Sequence, residues 1–140
     1  MLDNGYNLSL DQWTLYQHLR RYGYRTALIG KLDLHKPQTF VGARGDLPIV
    51  YHLGFSEPME TEGKQHGAVR RRVMTPQGGR KRLLLGPYQH FLSERGLLDA
   101  FTEDYRQRSQ REAIYAAPSV LPVEAYQDVW IGEHACDYLE

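Results

Sequence analysis

Cysteine is nearly missing from this sequence. The single one in 140 residues, Cys136, excludes an internal disulfide framework and a cysteine-based zinc site. Excess charge is missing too. Seventeen Lys and Arg balance seventeen Asp and Glu, so whole-chain charge predicts neither nucleic-acid nor membrane binding. No apolar run approaches the roughly 18 residues a membrane span needs. Met1-Leu2-Asp3-Asn4-Gly5 offers neither the basic start nor the apolar stretch of a signal peptide. For a chain read below as a piece of a longer protein, that leaves localisation open. Internal repeats and low-complexity tracts are absent. Gly78-Gly79-Arg80-Lys81 lacks the spacing of a phosphate-binding P-loop. What remains is ordinary: 41% hydrophobic residues, enough for a core, in a chain the length of one domain.

Local patterns then predict elements. Ser9-Leu10-Asp11-Gln12 reads as a capping box opening a helix on which Trp13, Tyr16 and Leu19 recur. Gly23 is expected to stop it in the left-handed conformation. Arg25 to Gly30 reads as a strand apolar enough to be covered on both faces. Helix, glycine turn and buried strand together are half of an α/β crossover unit. Residues 36–50, with two prolines and two glycines, read as loop, and Tyr51 to Phe55 as a short strand or turn. Gly78-Gly79 marks a hairpin tip. Pro87 opens a helix that Gly96 punctuates, and Leu97, Phe101 and Tyr105 mark a second one. Ala116 to Leu121 reads as extended. Pro122 opens a last helix, still apolar in period at Glu140, which suggests an internal section of a larger α/β protein. Trp13 and Trp130 are expected to anchor their helices in the core, and Cys136 to be buried and inert.

The end of the first strand carries the chemistry. Past Gly30, in Lys31-Leu32-Asp33-Leu34-His35, polar and apolar residues alternate. Extended backbone would put Lys31, Asp33 and His35 on one side, about 6.5 Å apart, and the leucines on the other. Ligands of open α/β sheets bind beyond the carboxyl ends of strands, where this trio falls. Lysine there suits a compact oxyanion; a carboxylate and an imidazole can bind metal, move protons or hold the lysine. A half-exposed strand edge gives the same alternation. The remaining histidines, His18, His52, His66, His90 and His134, show no metal-ligand pair on one helix face.

The segment Leu19-Arg20-Arg21-Tyr22-Gly23-Tyr24-Arg25-Thr26-Ala27-Leu28-Ile29-Gly30-Lys31 resembles the L-x-x-x-G-Y-x-T-x-x-x-G-K segment of sulfatases, in the alkaline-phosphatase-like superfamily. Asn4-Gly5 before it, Leu53-Gly54-Phe55 after it, and Tyr126-Gln127-Asp128-Val129-Trp130-Ile131-Gly132 are similar to further segments in family order. The resemblance implies an α/β, partial alkaline-phosphatase-like fold with few parallel strands flanked by helices. It implies a single partial domain over residues 1–140, from the middle of a sulfatase catalytic domain, with residues 56–86 an inserted loop or hairpin. Lys31 would be the catalytic lysine that contacts the sulfate. The family places a histidine two residues further on; here Asp33 stands there and His35 follows, so either could take that histidine's part.

The family reaction, by the same resemblance, runs through a hydrated formylglycine that attacks sulfur, with charge held by calcium or another divalent metal and by lysines. The alcohol leaves protonated by a histidine. The C/S-x-P-x-R motif that yields formylglycine is not in this sequence, where Cys136 precedes Asp-Tyr-Leu-Glu; nor are the acidic metal ligands. The expected function is therefore that of a fragment of a sulfate-ester hydrolase, inactive alone and binding no cofactor itself. A phosphonate or phosphate-ester hydrolase of the same superfamily is the nearest alternative, and a small partner-binding domain without chemistry the more distant one. The expected partner is a small sulfate ester or related oxyanion ester, with no nucleic acid and no membrane. The six basic residues at 70–72 and 80–82 could suggest nucleic acid, but no aromatic is interleaved. A solvated hairpin paired with Glu57, Glu60 and Glu62 is the expectation instead.

Overall fold

The computed structural model describes residues 7–35, 40–111 and 117–140; the Asn4-Gly5 pair lies outside them. Among the described residues the chain is mixed α/β, with α1 (Leu15–Arg21), β1 (Ala27–Gly30), α2 (Pro48–His52), β2 (Glu57–Glu60), α3 (Lys64–Gly67), β3 (Arg71–Met74), β4 (Arg80–Leu83), α4 (Pro87–Glu94), α5 (Leu98–Ser109) and α6 (Gln127–Leu139). The strands form two pairs. β1 and β2 are parallel, Ala27 opposite Glu57 and Gly30 opposite Glu60; β3 and β4 are an antiparallel hairpin.

The parallel pair is covered on both sides. On one, Leu28 and Leu32 pack with Val50, Leu53 and Phe55 from α2 and the turn after it. On the other lies α6, whose Ile131 reaches Gly30 and whose Trp130 joins Tyr88, Leu92, Leu98, Leu121 and Ala125 in the larger core. The Tyr88 hydroxyl donates to the Ala125 carbonyl at 2.7 Å, so burying this ring leaves no polar atom unmet.

The first helix starts later than predicted. Thr14, not Ser9, is the cap, with Gln17 completing the box; Ser9 only bends the chain, accepting weakly from the Asp11 amide. Thr14 wins because its box also reaches another element. The Thr14 hydroxyl donates to the Leu53 carbonyl, and the Gln17 amide group to that of His52. These are carbonyls at the carboxyl end of α2, which have no partner within their own helix. Trp13 consequently precedes α1 and is exposed, contrary to its expected core role, whereas Trp130 is buried. Gly23 is left-handed, with φ +83°.

Other expectations are corrected as well. Residues 36–50, read as loop, include the start of α2, and Tyr51 and His52 end that helix rather than forming a strand. Residues 57–60, within the stretch expected to be loop or hairpin, form a strand of the parallel pair. Pro122 opens only a 3-10 turn at Val123–Ala125; α6 begins at Gln127. Cys136 is exposed because it falls on the outer side of α6. The hairpin arginines meet acids of α5, Arg82 with Asp99 and Arg70 with Glu103, because Glu57 is held by Arg25 and Glu62 by the Gln89 amide. No helix among the described residues is long and apolar enough to cross a membrane.

Candidate functional site

Lys31 follows β1 directly. Thr61 to Lys64 follow β2 directly, beside it, because the two strands are parallel and in register. The Thr61 amide extends the pairing by donating to the Gly30 carbonyl at 2.9 Å. Both loops therefore leave the sheet at the same carboxyl edge. They open into a cavity of about 350 Å³ lined by Lys31, Gly63, Lys64, His66, Gln127 and Asp128, among others.

Glu62 fixes the second loop. Its carboxylate is buried and accepts from the Gln89 amide in the first turn of α4 at 2.6 Å, and its carbonyl accepts from the Gln127 side chain at 2.6 Å. A carboxylate at a helix start satisfies donors that have no partner within the helix and complements the dipole. This one substitutes for a local cap, since Gly86 at the cap position of α4 has no side chain. Gln89, also buried, accepts from the Leu85 amide and donates to the Gly67 carbonyl. The loop that carries Gly63 and Lys64 is thus tied to α4 and α6 at once.

The Lys31 stem lies along Gly63. A β-carbon at residue 63 would stand 3.0 Å from Lys31 Cε and 3.1 Å from Cδ, so the absence of one lets the ammonium reach the cavity. Lys31 Nζ pairs with Asp33 at 2.8 Å, and Lys64 Nζ with Asp128 at 2.6 Å. Each lysine has three donors, so each carboxylate orients its lysine while leaving donors for a ligand. Gln127, only 5% exposed, lines the same cavity. Its Nε2 is committed to Glu62, and its Oε1 has no hydrogen-bond partner among the described residues.

The three residues singled out in the sequence divide. Leu32 is buried and Leu34 packs on the same cluster, as the alternation required. Asp33 meets Lys31. His35 instead turns Nδ1 to the Leu8 carbonyl at 2.9 Å; a carbonyl only accepts, so Nδ1 is the donor of this bond. The histidine that shares the cavity with Lys31 is His66. Lys64 and His66 were not among the site residues expected from sequence. Their signal was position after β2, a strand that Glu57-Pro58-Met59-Glu60 conceals, whereas Gln127 opens α6 inside the Tyr126–Gly132 segment.

Among the described residues no three His, Cys, Asp or Glu side chains converge in a way that could hold a metal ion. The calcium implied by the family resemblance finds no ligand set in them, and the formylglycine motif is not in the sequence. No family model, curated protein or solved structure matches this chain.

Proposed function

We propose that this chain is a section of a sulfatase-type ester hydrolase, of partial alkaline-phosphatase-like fold, and that the Lys31 cavity receives the sulfate group. One observation carries the reading: adjacent parallel strands deliver Lys31 and Lys64 into a single cavity at their carboxyl edge. Two ammonium groups, held by Asp33 and Asp128, offer unused donors to the oxygens of a compact anion. The resembling segments also meet there, since Lys31 ends the first and Asp128 and Ile131 belong to the last. Lysine binding alone does not cleave an ester. Without nucleophile and metal the chain holds the oxyanion and leaves the bond intact.

The test is a titration of isotopically labelled chain with inorganic sulfate and with 4-nitrophenyl sulfate, followed by amide resonances. Shifts are expected at Lys31, Gly63 and Lys64, with affinity about tenfold weaker or more in Lys31→Ala. No 4-nitrophenol release above the Lys31→Ala background is expected. Silence at these three residues at tens of millimolar ligand sinks the anion site, and turnover sinks the fragment reading. Methylphosphonate binding much tighter than sulfate would favour the phosphonate alternative.

A further inference from the structure

The β3–β4 hairpin carries a second set of cations that the Lys31 cavity does not use. In its register Arg72 lies opposite Arg82 and Met74 opposite Arg80. With Arg70 two residues before Arg72, the two-residue period puts four arginines on one face. That face does not simply look into solvent. It meets the junction of α4 and α5, where the four arginines line a cleft of about 520 Å³ with Leu98 and Asp99. Like charges directly opposite across two strands destabilise the pair, so gathering them on a concave surface needs compensation.

The chain supplies little of it. Among the described residues Asp99 is the one carboxylate lining the cleft, and it is engaged by Arg82 Nη1 at 2.7 Å. Glu103 stands 3.9 Å from Arg70, but its oxygens already accept from Arg106 and Gln107. Arg70 Nε donates to the Thr102 hydroxyl, which fixes the arm without neutralising it. Arg82 Nε and Nη2 are out of solvent contact and have no hydrogen-bond partner among the described residues. They form the same edge with which Arg25 holds both oxygens of Glu57, the bidentate geometry that suits oxyanions. Reaching that edge requires side-chain movement in the cleft. Burial pulls Arg82 below the usual arginine range; Asp99 opposes this, and Arg70 and Arg72 add to it.

We propose that this cleft is a second oxyanion site, taking a compact, multiply charged phosphate- or sulfate-type group among Arg70, Arg72, Arg80 and Arg82. It shares no lining residue with the Lys31 cavity, so it stands or falls independently of the function proposed above. A nucleic acid fits less well, because among the described residues no aromatic lines the cleft for bases to stack on.

Inorganic pyrophosphate is the probe, titrated into the whole chain while arginine Nε–Hε and backbone amide resonances are followed. Saturable shifts are expected at Arg72, Arg82 and Gly96. Affinity should fall about tenfold or more in Arg72→Gln and in Arg82→Gln, and stay unchanged in Lys31→Ala. Arg72 is exposed, so its variant reads the site even if Arg82→Gln disturbs the hairpin. Inorganic phosphate or sulfate moving the same resonances supports the proposal. It is overturned if millimolar pyrophosphate gives no saturable shift, if shifts are confined to the Lys31 cavity, or if Arg72→Gln binds as tightly as the parent. It is also overturned if a single-stranded oligonucleotide occupies the cleft and pyrophosphate cannot displace it.

Discussion

Adding one methyl group at Gly63 separates holding the fold from holding the anion. Gly63 has φ −65° and ψ 162°, a conformation any residue adopts. The obstacle to an alanine there is the Lys31 stem, which can swing away. Gly63→Ala should leave the urea midpoint unchanged or slightly raised, since alanine restricts the unfolded chain. It should weaken sulfate binding about fivefold or more by displacing the ammonium. The same change at Gly54 should do the opposite. Gly54 has φ +108°, and a β-carbon there collides with the backbone of Tyr16 and Gln17, where nothing flexible can yield. Gly54→Ala should cost more than about 2 kcal/mol, read from denaturation. Equal behaviour of the two variants would mean that Gly63 is there for backbone reasons and that Lys31 owes nothing to it.

At the scale of elements, α4 offers a test through pH. Burial, chiefly, and then the charges of Glu62 and Asp128 raise the Tyr88 hydroxyl well above its ordinary value of 10.0. The folded chain therefore keeps a proton that the unfolded chain releases. The resulting stabilisation is complete below pH 10, the unfolded value, and is lost as pH rises above it toward the folded one. Thermal midpoints should fall more steeply above that pH in the parent than in Tyr88→Phe. At neutral pH the variant should be less stable by about 1 kcal/mol, having lost the bond to Ala125. Other tyrosines and lysines titrate in both proteins, so the difference in slope reports Tyr88; parallel curves would contradict the assignment. The start of α4 was legible because Pro87 and Gly96 are local signals. β2 was not, since Glu57 and Glu60 flank a proline and a methionine and only pairing with β1 makes them a strand. Its proline is tolerated because, among the described residues, β2 pairs with another strand on one side only. The start of α1 was ambiguous for a similar reason. Ser9-Leu10-Asp11-Gln12 and Thr14-Leu15-Tyr16-Gln17 both spell a capping box, and contacts 35 and 39 residues away decide between them. Lys31 was found because its strand is apolar, while Lys64 and His66 stayed hidden behind β2.

For the molecule as a whole, the consequential surface is the one α1 presents. The helix buries none of its residues and docks through hydrogen bonds to the end of α2. Trp13 is 61% exposed, Leu15 66%, Tyr22 70% and Tyr24 63%. So many large apolar side chains close together in one segment favour association with another surface. The parallel pair adds to this, because among the described residues its sheet has two strands, each with an outer edge, and parallel sheets are ordinarily covered. The two-sided core around Val50 and Leu92 should still give one cooperative thermal transition. Folding and solubility therefore come apart: the chain is expected to fold and yet to self-associate in light scattering as its concentration rises. The double variant Trp13→Lys, Leu15→Glu should abolish that association with little change in thermal midpoint, because neither side chain contributes to the core. A parent chain that stays a monodisperse monomer at high micromolar concentration would show that this surface is adequately solvated as it stands. Association that survives the double variant would assign it to the open strand edges instead.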